Sequence, residues 1–357
     1  MSDIYYLDHA ATSYPIKYFA KDYHIPGNPN SPHALGLQAN QALNEARQRI
    51  MNCLGVKSGK VLFCRCATEA VEWLCRNFKG MDYTTCSFTE HDSVYNICDS
   101  KVCPEEILDK GWVYSSPLYL HQYVNQLTGA VFSIESIGKQ VQSTGAFFGS
   151  DFTAAIGHYP LPNNLESFCD AVWFSGHKFG TEPGIGAIWL SDGLFEYLGG
   201  DEDNHNEYDL IHGTPNVSAT VAMSYAMEHA IGHAEGNNKR YLKLASHLFD
   251  KLINEHNIPA ALVGQDQPKT HAINAVYLPN INSDALVQYL SSKGIYISPG
   301  YSACASHSED ASRVVEAFGL TKEEASQTVR ISFGEGTNME DIDALVNGIV
   351  EFKKLFI

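Results

Sequence analysis

Positive charge is scarce in this chain: 24 Lys and Arg stand against 41 Asp and Glu, a formal net charge of -17 over 357 residues. Such a balance repels a phosphate backbone, so nonspecific nucleic-acid binding is not expected. Long apolar runs are missing too. None approaches the roughly 18 residues of a membrane span, and the opening stretch MSDIYYLDHAAT lacks the apolar core and cleavage site of a secretory signal. The expectation is a cytoplasmic protein with no membrane contact. A disulfide framework is also lacking, because the nine cysteines are odd in number and scattered, which suits a reducing compartment. Cys64 and Cys66 form a C-x-C pair with no second pair at metal-ligand spacing. His229 and His233 lie four apart on a predicted helix without the Glu of H-E-x-x-H between them. Packing or surface roles are the simpler reading of both pairs, and no metal site is expected.

What is present is enough apolar residue, 44% with 11% aromatic, for a sizeable core. The length suggests about two domains. From residue 60 onward the runs KVLFC, YTTCSFT, GAFFGSD, AVWFSGH and GIGAIWLS alternate with helical stretches. Short, continuous apolar runs suit strands covered on both faces, so an α/β domain with a mainly parallel sheet is expected over residues 15–235, with function at the strand ends. After about residue 235 a long helical stretch and the runs HAINAVYLP, GIYISPG and TVRISFG predict a smaller α+β domain, 236–357 together with 1–14. Thr321 and Thr337, each followed three residues later by Glu, read as helix starts with capping boxes. Ile342, Leu345, Val346, Ile349 and Phe352 fall on one face of the last helix, a packing stripe.

Lys178, in SGHKFG, is the only lysine between Lys139 and Lys239. It follows the apolar run AVWF and precedes TEPGIGAIWL. A lysine desolvated at such a junction has its ammonium form disfavoured and its amine made nucleophilic, as a Schiff-base lysine requires. The alternative is a stem that runs out to solvent. A pyridoxal phosphate site would also need an anion for the ring nitrogen, an aromatic group on the ring face and a phosphate cradle. Asp151 ends GAFFGSD and is either that anion or a helix N-cap. His91 follows CSFTEH and is either a stacking group or structural. Ala67, Thr68 and Glu69 stand where a strand gives way to a helix, so their amides and the Thr68 hydroxyl suit a phosphate unless Thr68 is a plain N-cap. Ser175, His177 and Thr214 are further candidates for the cradle.

In these stretches, and in YLDHAAT, GNPNSPHALG, SDFTAAIG, HGTPN, SACASHSEDASRVVEAFGL and VRISFG taken in order, the chain resembles the pyridoxal-phosphate-dependent cysteine desulfurases of the class V aminotransferase family over nearly its whole length. The resemblance implies the fold type I architecture of a large α/β domain and a small α+β domain. It implies that Lys178 holds the cofactor covalently, Asp151 pairs with the pyridine nitrogen, and His91 stacks on the ring and moves protons. Ala67, Thr68, Ser175 and His177 would hold the phosphate, with Thr214 reaching over from the partner subunit of a homodimer. Arg330 would clamp the carboxylate of L-cysteine, with Asn125 nearby. Cys304, in a small-residue loop with His307, would attack the substrate sulfur, keep it as a persulfide and pass it to an acceptor protein, iron–sulfur cluster assembly being one use, while alanine leaves.

Some positions depart from that pattern. Ala154 stands where relatives carry a hydrogen-bonding amide near the ring hydroxyl, and Gln126 stands where they carry Asn. DEDNHNEYDLIHGT replaces a Gly- and Arg-rich run, and Asp201, Glu202 and Asp203 in it read as a solvated loop. Rival readings are a selenocysteine lyase, a cyst(e)ine carbon–sulfur lyase or aminotransferase of the same fold, and a weakly catalytic sulfur-carrier scaffold.

Overall fold

The structure, a computed structural model, describes residues 4–78, 84–103, 116–202, 207–301 and 312–357. Its strands are β1 (Tyr5–Tyr6), β2 (Lys60–Cys64), β3 (Thr84–Ser87), β4 (Ser100–Val102), β5 (Leu118–Leu120), β6 (Phe147–Asp151), β7 (Ala171–Ser175), β8 (Gly186–Leu190), β9 (Ala261–Leu262), β10 (Ile273–Tyr277), β11 (Ile295–Tyr296), β12 (Ser298–Pro299) and β13 (Thr328–Ser332). The longer helices are α1 (Ala34–Leu54), α2 (Ala67–Asn77), α3 (Ile134–Gln142), α4 (Val217–Phe249), α5 (Ser283–Ser292) and α6 (Met339–Phe356).

Two compact units divide the chain: residues 15–123 with 133–234, and residues 1–14, 124–132 and 235–357. The larger carries a seven-stranded sheet in the order β2-β8-β7-β6-β5-β3-β4. Neighbours from β4 to β7 are parallel, and only β8 runs against its neighbours. Every residue of β7 and β8 is buried, which is why these strands read as unbroken apolar runs instead of alternating ones. Because β8 is antiparallel to both β2 and β7, the C-terminal ends of β2, β6 and β7 share one edge. Gly186 pairs there with Cys64 on one side and Ser175 on the other.

In the smaller unit, β12-β13-β10-β9 form an antiparallel sheet, and β1 pairs with β11 in parallel. The expected stripe of α6 is buried from Ile342 to Phe352. Three details differ from expectation. Residues 124–132, expected in the larger unit, belong to the smaller one. They form a tight turn whose Val131 N–H donates to Pro268 O at 2.7 Å, while Gly129 O accepts the Thr270 N–H at 2.9 Å. Gly129 makes this close approach possible, with φ of 74° and Ile273 O only 2.3 Å from where a Cβ would stand. Second, the helical stretch expected after residue 235 begins already at Val217, so α4 runs through the boundary between units. Third, Thr321 and Glu324 form the expected capping box, but α6 is capped by Asn338 with Asp341. Thr337 is unavailable because its buried hydroxyl accepts the Gly334 N–H.

Candidate active site

In the larger unit the predicted groups gather at the shared strand edge. Asp151 ends β6 and is 8% exposed. Its Oδ1 accepts the Thr153 N–H at 2.7 Å, so it closes a local turn and is not a helix N-cap. Ser175 ends β7, and Lys178 closes the short 3-10 turn Gly176–Lys178 that follows. Lys178 is half-buried, between the two situations weighed from the sequence.

The Ser175 hydroxyl accepts the backbone N–H of Ala67, the first residue of α2, at 3.2 Å. The N-cap of α2 is Cys66, which makes no side-chain capping bond, so Thr68 lies within the first turn of the helix and is not its cap. A helix entrance without a side-chain cap keeps amide dipoles for an anion. Glu69, the acid of that first turn, bends back to Arg65, accepting its N–H at 2.5 Å and its Nε–H at 2.8 Å. Gly186 lets α2 enter this close: a Cβ there would stand 2.8 Å from Phe174 O and 2.9 Å from the Cys66 backbone.

His91 is the N-cap of the short helix Asp92–Tyr95, its Nδ1 accepting the Ser93 N–H at 3.2 Å. The structural reading of this residue is therefore correct for one ring nitrogen. Glu90 beside it is fully buried, and its carboxylate accepts the Gln122 N–H, which ties the His91 turn to the end of β5. Glu90 was not among the residues expected at the site, although an acid inside an apolar strand end is itself a signal. His177 is held down to about pKa 4, by burial first and then by the Lys178 charge. His158 is also held at about 4 by burial, with Lys178 adding to the effect and the Ala154 carbonyl opposing it. Thr214 is exposed in the single chain.

At position 154 the alanine leaves no amide, but one residue earlier the Thr153 Oγ1 is buried without a hydrogen-bond partner among the described residues. The acidic stretch is exposed at Asp201 and Glu202, as expected of a solvated loop. Asp203 lies outside the described residues, and Glu207 turns inward. Its carboxylate, 3% exposed, pairs with Arg47 at 2.6 Å and accepts the Phe63 N–H at 2.9 Å. Burial raises the Glu207 pKa against the pull of Arg47.

In the smaller unit Arg330 lies mid-strand in β13, its guanidinium 1% exposed and paired with Asp8 at 2.8 Å. The pair is therefore buried on the arginine side and is not a surface ion pair. Gln126 meets Arg330 through its backbone carbonyl, at 3.5 Å from Nη1. Asn125 is fully buried, and its amide oxygen accepts from Leu127 N, Thr128 N and Thr128 Oγ1. It shapes the 125–129 turn, so its oxygen is committed before any substrate arrives. Cys304 and His307 lie outside the described residues.

The pattern of the family described as Aminotransferase class-V matches residues 5–100 and 116–345. A cysteine desulfurase of Nostoc sp. is 30% identical, with 98% of this chain and 92% of that protein covered. The cysteine desulfurase IscS of Methanosarcina thermophila is 27% identical over 97% of this chain and 91% of its own. Among solved structures, a NifS-like protein superposes with a TM-score of 0.84 at 24% identity, covering 99% of this chain and all of that one. No helix among the described residues is long and apolar enough to cross a membrane.

Proposed function

The chain belongs to the class-V aminotransferase family, and from that premise we infer that it is a cysteine desulfurase, releasing L-alanine from L-cysteine and keeping the sulfur for transfer. The observation that carries the reading is the edge where Asp151, Ser175 and Lys178 follow parallel strands and Ser175 meets the entrance of α2.

These residues fit pyridoxal 5'-phosphate. The donor set comprises a buried carboxylate, an amine, a hydroxyl bonded to a helix entrance without a side-chain cap, and a buried hydroxyl, Thr153 Oγ1, lacking a partner among the described residues. When bound, the cofactor supplies an electron sink for the α-carbon of the amino acid. Lys178 would hold it by its amine, and Asp151 would hold the proton on the pyridine nitrogen. Ala67, Thr68, Ser175 and His177 would take the phosphate, joined by Thr214 from the second subunit of a homodimer. His91, fixed through Nδ1, would present its ring face and move protons through the other nitrogen. Gln126 would be a further contact of the cofactor, and Thr153 would supply the donor missing at Ala154.

Arg330 would hold the carboxylate of L-cysteine. Cys304, as thiolate, then forms an S–S bond to the substrate sulfur while the Cβ–S bond breaks. The electron pair of that bond, with a proton, ends on the carbon of alanine, and the persulfide on Cys304 passes to an acceptor protein, as in iron–sulfur cluster assembly. We place this chemistry in the cytoplasm.

The test is to incubate cofactor-loaded protein with L-cysteine and a reductant and to quantify alanine and sulfide. Equal amounts from wild type, both abolished in Cys304→Ala, are expected. Pyruvate in place of alanine, or turnover surviving in the variant, would overturn the reading.

A further inference from the structure

The desulfurase reading assigns Arg330 to the substrate carboxylate, and the inference drawn here rests on that reading. Arg330 pairs across the sheet with Ala275 of β10 and Ser298 of β12. Its Nη2 donates to Asp8 Oδ1 at 2.8 Å and to Ser298 Oγ at 3.2 Å. Nη1 reaches the Gln126 carbonyl only at 3.5 Å, and the buried Nε has no partner among the described residues. A guanidinium has five N–H donors in a planar fork, and leaving any of them unbonded out of water is unfavourable. Both Nη2 hydrogens are therefore spoken for, while Nε–H and Nη1 are the donors left for an anion.

Asp8 is itself firmly held. The N-terminal segment is stitched to β13 on both sides of it: Ser332 N–H donates to Leu7 O at 2.8 Å and Ala10 N–H donates to Ser332 Oγ at 2.8 Å. The Tyr6 hydroxyl lies 3.1 Å from the carbonyls of both Asp8 and Thr12 and bonds the turn from below. A flexible arginine stem has many rotamers, and one bonded nitrogen at a fixed point removes most of them.

We propose that Asp8 is the positioning residue of Arg330: by fixing Nη2, it sets where the remaining donors, Nε–H and Nη1, stand to meet the α-carboxylate of the substrate, without touching substrate itself. Its effect belongs to ground-state binding, so it acts on KM and leaves kcat nearly alone.

Three variants of the cofactor-loaded protein test this, each read by KM and kcat for L-cysteine and by calorimetric Kd for the product L-alanine. Asp8→Ala is expected to raise KM and Kd together by about tenfold or more, with kcat within about threefold. Asp8→Asn keeps an acceptor at Oδ1 and should restore both to within about threefold of wild type. Asp8→Glu keeps the charge but moves the oxygen by one methylene; it guards against Asp8→Ala failing to fold and should raise KM by about fivefold with little change in Tm. Unchanged KM and Kd in Asp8→Ala, or in Asp8→Glu if the alanine variant does not fold, would overturn the proposal, as would an asparagine variant as impaired as the alanine one. A wild type that makes no alanine from cysteine sinks the desulfurase reading instead, and the calorimetric Kd still decides the role of Asp8.

Discussion

The hydroxyl of Ser175 accepts the backbone N–H of Ala67 at 3.2 Å, joining the last residue of β7 to the first of α2 across 108 positions of sequence. Strand end and helix start are thereby locked as one piece beside Lys178. The bond takes up one of the orphan amides of the helix entrance.

Removing the Ser175 hydroxyl should loosen the phosphate cradle without unfolding the sheet. Ser175→Ala is expected to weaken pyridoxal phosphate binding by about tenfold, the equivalent of one lost hydrogen bond of about 1 kcal/mol or slightly more. Equilibrium dialysis of the cofactor, with far-ultraviolet circular dichroism as the control for folding, measures this. An unchanged cofactor affinity would remove Ser175 from the cradle.

Gly186 tests the same geometry from underneath. A methyl group there meets backbone atoms of Phe174 and Cys66 at under 3.0 Å, and backbone cannot swing aside as a side-chain tip can. Gly186→Ala should cost about 1–3 kcal/mol of stability in urea unfolding and push the start of α2 off the strand edge, lowering cofactor affinity as well. Gly145→Ala, with no atom within 4 Å of the added Cβ but a positive φ, serves as the comparison that strains backbone without touching the site.

Acid should unfold the larger unit through three histidines. Burial is the main cause that holds His121 at about 3, His158 at about 4 and His177 at about 4. In the unfolded chain each takes up a proton near pH 6.5, while in the folded protein each stays neutral well below that. Stability is therefore fully present above pH 6.5 and is lost as pH falls toward 4, with a slope approaching about 4 kcal/mol per pH unit near pH 5. Urea midpoints measured between pH 5 and 7.5 would follow the loss. His121→Gln should flatten the slope by about a third; an unaltered slope would exclude His121 as a source.

Lys269 offers the opposite sign. Burial lowers its pKa to about 8, and its Nζ donates to the Val263 carbonyl at 3.3 Å, with no carboxylate paired to it among the described residues. Below pH 8 the folded protein carries a poorly solvated ammonium that the unfolded chain solvates freely. Stability should rise as pH increases from about 8 to the unfolded value near 10.5. Lys269→Met is accordingly expected to exceed wild type by about 2 kcal/mol at pH 7, and the gap should close by pH 10.5. A gap independent of pH would mean that packing, not charge, sets it.

Much of the larger unit was legible because its strands are buried on both faces. Such strands print themselves as continuous apolar runs, and a charged or hydroxyl residue at the end of one stands out: Asp151, Ser175 and Lys178 were all visible in this way. Cys66 was legible only as one half of a C-x-C pair, since the absence of a side-chain cap at the helix start is a matter of geometry. Glu207 was not singled out in the sequence, because Arg47 on α1 and the Phe63 N–H, which draw it inside, are both far away in the chain. Thr337 was misplaced by one residue because its hydroxyl had a nearer amide to bond.

Local pattern by itself determined the alternation of strand and helix, the α+β character of the C-terminal part and the residues that end the strands. These follow from burial periodicity and capping, which act between neighbours in the chain. The tertiary structure alone decided which strand ends share an edge, that residues 124–132 leave the larger unit, and that Asp8 meets Arg330 across 322 positions. The reason is that a hydrogen bond or ion pair between distant residues leaves no periodic trace. It exists only once the sheet has brought its two partners to within about 3 Å.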